Sequence, residues 1–299
     1  MASFLSRIAP LVITLRGSKR MFSSADRTLR RIEHLRQHPV SAEPPASLTQ
    51  SLDVSSSTVD GWPVFVVASR DAEPTGDVVY LHGGCYTFEI DPVQWRFAGN
   101  LAREAGVRVT VPIFPLAPDG SASDIVPRVT AMVQQLVERR GADQVSLVGD
   151  SACGGMALAV AQELRDRGVA PLHATVLISP WLDISGTDPR LAEIAPRDPW
   201  LAVPGTHAAG ALYRGELAED HPWVSPIHGR LGGIGPLTMF SGTRDILNAD
   251  AVRLVAAAAE AGHPLDYHEG EGMIHVYPIL PMPEGDAVRA IIVRTLRAA

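Results

Sequence analysis

From about residue 60 onward the chain alternates short, mostly apolar runs with longer stretches whose apolar positions recur every three or four residues. Val64–Val67, Val78–Leu81, Val107–Ile113, Val145–Val148, Ala174–Ile178 and Leu237–Phe240 are apolar runs of strand length, most of them rich in β-branched residues, and Leu265–His268 is a weaker one. Gln94–Ala105, Asp124–Arg140, Ala152–Arg167, Asp250–Ala261 and Asp286–Arg297 carry helical spacing. Gly106, Gly141, Gly168 and Gly262 follow four of these stretches, where a C-terminal glycine cap belongs. Strands that are apolar throughout, separated by helices, predict an α/β fold with a mostly parallel sheet covered on both faces.

Three regions break that rhythm. Pro39–Ser57 is rich in proline and serine and reads as a linker. Between Asp183 and Pro226 the chain is rich in Pro, Gly and Trp with weak helical signals, as in an insertion on top of the sheet. Together with residues 1–50 it suits a lid. The N-terminal apolar stretch Leu11–Leu15 is interrupted nearby by Arg7 and Pro10, is far too short to span a bilayer, and precedes no A-x-A site. It predicts an amphipathic helix packed on the body of the protein.

At 299 residues, 46% apolar and 20% charged, the composition is that of an ordinary globular chain. It suits one large α/β domain with an elaboration, or two small domains. The net charge of −7 comes from scattered residues, which argues against a general attraction to nucleic acid or anionic lipid. The two cysteines, Cys85 and Cys153, form no C-x-x-C pair, so neither a disulfide scaffold nor a zinc site is expected. The expected compartment is the cytoplasm.

The run QVSLV leads into Gly149-Asp150-Ser151-Ala152-Cys153, and a helix of small residues follows at once. A serine on a tight strand-to-helix turn presents its hydroxyl at the carboxyl edge of a sheet. The helix N-terminus behind it supplies N–H groups and positive dipole character where an oxyanion would form. Upstream, DVVYL ends in His82-Gly83-Gly84-Cys85, and glycines there let backbone amides turn inward. Downstream, Asp245 follows the run PLTMFSG, and His275 follows the next strand and its turn. The order Ser151, Asp245, His275 fits a nucleophile, an orienting acid and a general base. Asp250, the nearest rival acid, opens a helix and reads as a first-turn charge; Asp183 and His82 read as structural. The remaining histidines fall at no ligand spacing, and no metal or cofactor is expected.

YLHGG, PLAPDG, GDSA, SPWLD, GTRDIL and GMIH, in this order from Val78 to the C-terminus, resemble the hormone-sensitive-lipase group of bacterial esterases and lipases. That group has the α/β-hydrolase fold. The resemblance implies Ser151 as nucleophile, Asp245 as acid and His275 as base. It implies oxyanion donors among the amides of Gly83, Gly84 or Cys85, together with Ala152. It also implies a cap from about 1–50 and 183–226 over a catalytic core of about 51–182 and 227–299. The family usually has glycine where Cys85 and Cys153 stand, so a narrower pocket is expected; its Y-R-L-A-P is here Phe114-Pro115-Leu116-Ala117-Pro118, without the arginine. The expected activity is hydrolysis of short- to medium-chain acyl esters through an acyl-enzyme. Amides, lactones and acetyl esters suit the same machinery. The rival class is a non-catalytic small-molecule receptor on this fold, against which the retained Ser151, Asp245 and His275 argue. The expected partner is a small-molecule ester, with no nucleic acid and no membrane span; a homodimer is left open.

Overall fold

The apolar runs become the middle of one eight-stranded sheet in a computed structural model that describes residues 3–15 and 17–297. The strands are β1 (Asp53–Val59), β2 (Trp62–Ala68), β3 (Asp77–Leu81), β4 (Arg108–Pro112), β5 (Val145–Asp150), β6 (Ala174–Ile178), β7 (Leu237–Gly242) and β8 (Leu265–Gly270). They lie in the order β1-β2-β4-β3-β5-β6-β7-β8, antiparallel at β1–β2 and β2–β4 and parallel from β4 onward.

Every residue of β3, β5, β6 and β7 is buried, because alternate side chains feed opposite faces. Val79, Leu81, Leu147 and Leu177 join the core under α6 (Ala122–Arg140), α7 (Ala152–Asp166) and α10 (Asn248–Glu260). Val78, Tyr80, Val148 and Val176 join the core under α5 (Pro92–Ala105) and α11 (Pro283–Leu296). Helix α5 begins with Pro92 behind Asp91, whose carboxylate accepts from the Val93 and Gln94 amides, while Gln94 reaches back to the Asp91 amide.

The linker expected over Pro39–Ser57 is corrected in its second half. It holds α4 (Ala46–Ser51) and the start of β1, a largely exposed, serine-rich edge strand that pairs with β2 through its backbone. The N-terminal segment folds as α1 (Phe4–Leu15), α2 (Ser18–Phe22) and α3 (Ala25–Gln37). Helix α1 is helical as expected, but it turns Ser6, Pro10 and Ile13 to the body, and most of its large apolar residues face outward. The insertion carries α8 (Leu191–Ile194) and α9 (Val203–Arg214). α9 packs on α2 and α3 at Gly205, where a Cβ would lie 2.5 Å from the Phe22 Cα and the Thr28 hydroxyl.

Candidate active site

Ser151 sits between β5 and α7 at φ 55° and ψ −125°, a conformation that non-glycine residues rarely adopt. The surroundings hold it there. Its N–H donates to the Ile178 carbonyl at 2.8 Å, and its carbonyl accepts from the Trp181 amide at 2.9 Å. The turn leaves no room for side chains nearby. A Cβ at Gly149 would strike the Cys153 carbonyl, and one at Gly83 would lie 2.7 Å from the Ser151 Cβ.

Two further strand ends converge on this serine. His275 Nε2 lies 2.9 Å from the Ser151 hydroxyl, and its Nδ1 lies 2.7 Å from Asp245 Oδ2. Both side chains are buried. The second oxygen of Asp245 accepts from the Leu247 amide at 3.0 Å, which fixes the carboxylate plane. Ser179 accepts from the Val276 amide at 3.0 Å, and Trp200 stands edge-on to the imidazole with centroids 5.7 Å apart. Burial disfavours the imidazolium. The nearby Asp245 carboxylate outweighs it, with smaller help from Asp198 and Asp150, and the His275 pKa ends above its ordinary 6.5.

Asp198 was not foreseen from the sequence. One oxygen accepts from the Trp200 and Leu201 amides at 2.7 and 2.9 Å; the other accepts from Ile246, next to Asp245, at 2.9 Å. It thereby ties the insertion to the acid loop. Burial, and then the facing Asp245, push its carboxyl up to about 6. Its only local signal is an Asx turn, which loop aspartates adopt anywhere.

The loop after β3 narrows the donor set. Asp150 accepts from Tyr80 OH at 2.6 Å and from the Gly83 amide at 2.9 Å, while Gln94 donates to its other oxygen at 3.0 Å. Gly83 is therefore corrected: its amide is committed to Asp150 and serves as a brace. The amides of Gly84, Cys85 and Ala152 have no acceptor among the described residues. Gly84 holds φ 136°, and Tyr86 locks the loop to α7 by donating to the Ala152 carbonyl at 2.7 Å.

These groups face a cavity of about 380 Å³, lined mainly by apolar residues. Phe22 and Met21 reach it from α2, Trp200 and Leu201 from the insertion, and Phe88 and Ile279 from the core. Cys85 lines it, but Cys153 is wholly buried and does not, so the expected narrowing applies to Cys85 alone. Asp183 and Asp250 are both bound by Arg253 at 2.8 Å. His82 stacks on Phe114 and engages the Gly83 carbonyl through Nδ1. Among the described residues no three His, Cys, Asp or Glu side chains gather as metal ligands would.

A family model described as alpha/beta hydrolase fold matches residues 78–279. A triacylglycerol lipase of Mycobacterium tuberculosis is 33% identical over 241 residues, 79% of this chain and 50% of that protein, so the match spans about half of that relative. An acetyl-hydrolase of Streptomyces hygroscopicus is 32% identical over 209 residues, 68% of this chain and 70% of that protein. Among solved structures, an esterase from the bacterial hormone-sensitive lipase family superposes with a TM-score of 0.84 at 26% identity, covering 99% of both chains.

Proposed function

We propose a reaction from the premise that this chain belongs to the α/β-hydrolase fold family, in its hormone-sensitive-lipase group of esterases and lipases. On our reading it hydrolyses carboxylic esters of short to medium acyl chains through an acyl-enzyme on Ser151. The observation that carries this is the relay from the Ser151 hydroxyl through His275 to Asp245, with contacts of 2.9 and 2.7 Å.

The Ser151 hydroxyl donates to His275 Nε2, and His275 Nδ1–H donates to Asp245. As the oxygen attacks the ester carbonyl, its proton passes to Nε2, and Asp245 stabilises the imidazolium. The carbonyl oxygen becomes an oxyanion facing the amides of Gly84, Cys85 and Ala152, of which Ala152 opens α7. His275 then protonates the leaving alcohol. Water, deprotonated by the same nitrogen, attacks the acyl carbon; the acyl–oxygen bond to Ser151 breaks, the acid leaves, and the proton passes from Nε2 back to the Ser151 oxygen. Every proton transfer in this sequence runs between side chains, substrate and water.

The N-terminal helices and the 183–226 insertion act as the cap. This is supported by Met21, Phe22, Trp200 and Leu201, which line the cavity from those two segments. Two unpaired thiols support a reducing, cytoplasmic setting. Among the described residues no helix is long and apolar enough to cross a membrane. A panel of p-nitrophenyl esters from acetate to palmitate tests the substrate class. Highest kcat/KM is expected at acetate or butyrate. Highest kcat/KM at palmitate would refute the acyl-length assignment, and no turnover on any ester would refute the reaction.

A further inference from the structure

The net charge of −7 conceals a segregation. Residues 1–38 hold eight Arg and Lys against Asp26 and Glu33, a net of +6; the rest, with eighteen against thirty-one, carries −13. Arg27, Arg30 and Arg36 are held by Ser23, Asp26 and Asp119 respectively. Arg7, Arg20 and Arg31 have exposed side chains with no partner among the described residues.

Helix α1 adds the second observation. Its apolar positions Phe4, Leu11 and Leu15, with Leu5 and Val12 beside them, form a stripe at helical spacing. That stripe faces solvent: Phe4 is 75% exposed, Leu11 60% and Leu15 79%. The helix is seated by its other side. Ser3 and Ser6 bond Glu284 at the start of α11, and Pro10 and Ile13 are buried. The third observation is position. Ile13 of α1, Met21 and Phe22 of α2 and Arg31 of α3 line the catalytic cavity.

We propose that the N-terminal helices are a docking surface for an anionic phospholipid bilayer, which α1 enters by its apolar stripe. A short helix with an outward apolar face beside unpaired cations is the pattern of interfacial helices. At twelve residues, α1 is about 18 Å long and lies in the interface without crossing it. Charge also argues against a second copy as occupant, since pairing two stripes would bring Arg7, Arg20 and Arg31 toward their like. Docking brings to the membrane the same helices that line the cavity, so lipophilic esters dissolved there reach the site over a short path.

The test is co-sedimentation of the full chain with vesicles of phosphatidylcholine alone or with 30% phosphatidylglycerol. Binding should be roughly 100-fold tighter to the anionic vesicles, from three unpaired cations, and should weaken in 0.5 M salt. Leu11→Ser with Leu15→Ser should reduce it by at least tenfold, while turnover of p-nitrophenyl acetate and thermal unfolding stay unchanged. Ser151→Ala should bind as the parent does, which separates docking from catalysis. The proposal is overturned by equal binding to both vesicles, by binding indifferent to the double variant, or by self-association through α1 without vesicle binding.

Discussion

Replacing Asp245 by Asn keeps the shape of the acid and changes only its hydrogen-bonding character. In the structure one oxygen accepts from His275 Nδ1 at 2.7 Å and the other from the Leu247 amide at 3.0 Å, and the carboxylate is fully buried. Asparagine cannot accept from both. If its NH2 faces His275, the ring is driven to the tautomer protonated on Nε2, which cannot take the serine proton. If its oxygen faces His275, two donors are opposed at Leu247, at a cost of about 1–3 kcal/mol. That leaves the competent arrangement roughly 5- to 150-fold depleted. The charge that stabilises the imidazolium is lost as well, and together these should reduce kcat by roughly 10⁴, about 5.5 kcal/mol. Steady-state hydrolysis of p-nitrophenyl butyrate measures it, with circular dichroism as the fold control. Asp250→Asn is the comparison, because Asp250 is bound to Arg253 at 2.8 Å, away from the relay. It should keep kcat within a few-fold. A large loss in Asp250→Asn beside a small one in Asp245→Asn would refute the reasoning.

Other outcomes follow from the same geometry. Because His275 must be neutral to accept a proton and its pKa is raised, kcat/KM should rise with pH through a midpoint above 6.5. Asp198→Asn, which removes a negative neighbour, should move that midpoint down; an unmoved midpoint would count against coupling between them. The same shift makes the His275 ion pair stabilising below pH 6.5, and that contribution fades as pH rises through the folded-state value. Gly83→Ala should lose nearly all activity, since its Cβ would lie 2.5 Å from Asp150 Oδ2 and 2.7 Å from the Ser151 Cβ; near-normal kcat would contradict the brace. Burial pushes the Cys85 thiol up to about 12 and Cys153 well above its ordinary value, so diamide should leave turnover unchanged. Inactivation reversed by dithiothreitol would instead mark a redox pair.

The central strands were legible because their residues are apolar on both faces, and the observed ends fall within two residues of those predicted for β3, β5, β6 and β7. β1 was hidden because an exposed edge strand of Asp, Ser and Thr pairs through backbone groups that carry no sequence pattern. α9 was hidden by Gly205 and Gly210, which weaken the helical signal yet let it approach Phe22 and Trp181. Periodicity announced α1 but not its orientation, since a stripe reads the same whether it meets a core or solvent. At the site, the motifs located Ser151, Asp245 and His275, which tertiary contacts bring within hydrogen-bonding reach. Which glycine amide stays free depends on the Asp150 rotamer, so Gly83 and Gly84 could not be told apart.

The central claim is that Ser151 is the acylated nucleophile, and intact-mass spectrometry after a fluorophosphonate probe tests it most directly. The account predicts one adduct per chain, mapped to Ser151, absent in Ser151→Ala and accompanied there by a loss of kcat on the order of 10⁶. An adduct on another residue, or a Ser151→Ala variant keeping a tenth of the parent turnover, would contradict it.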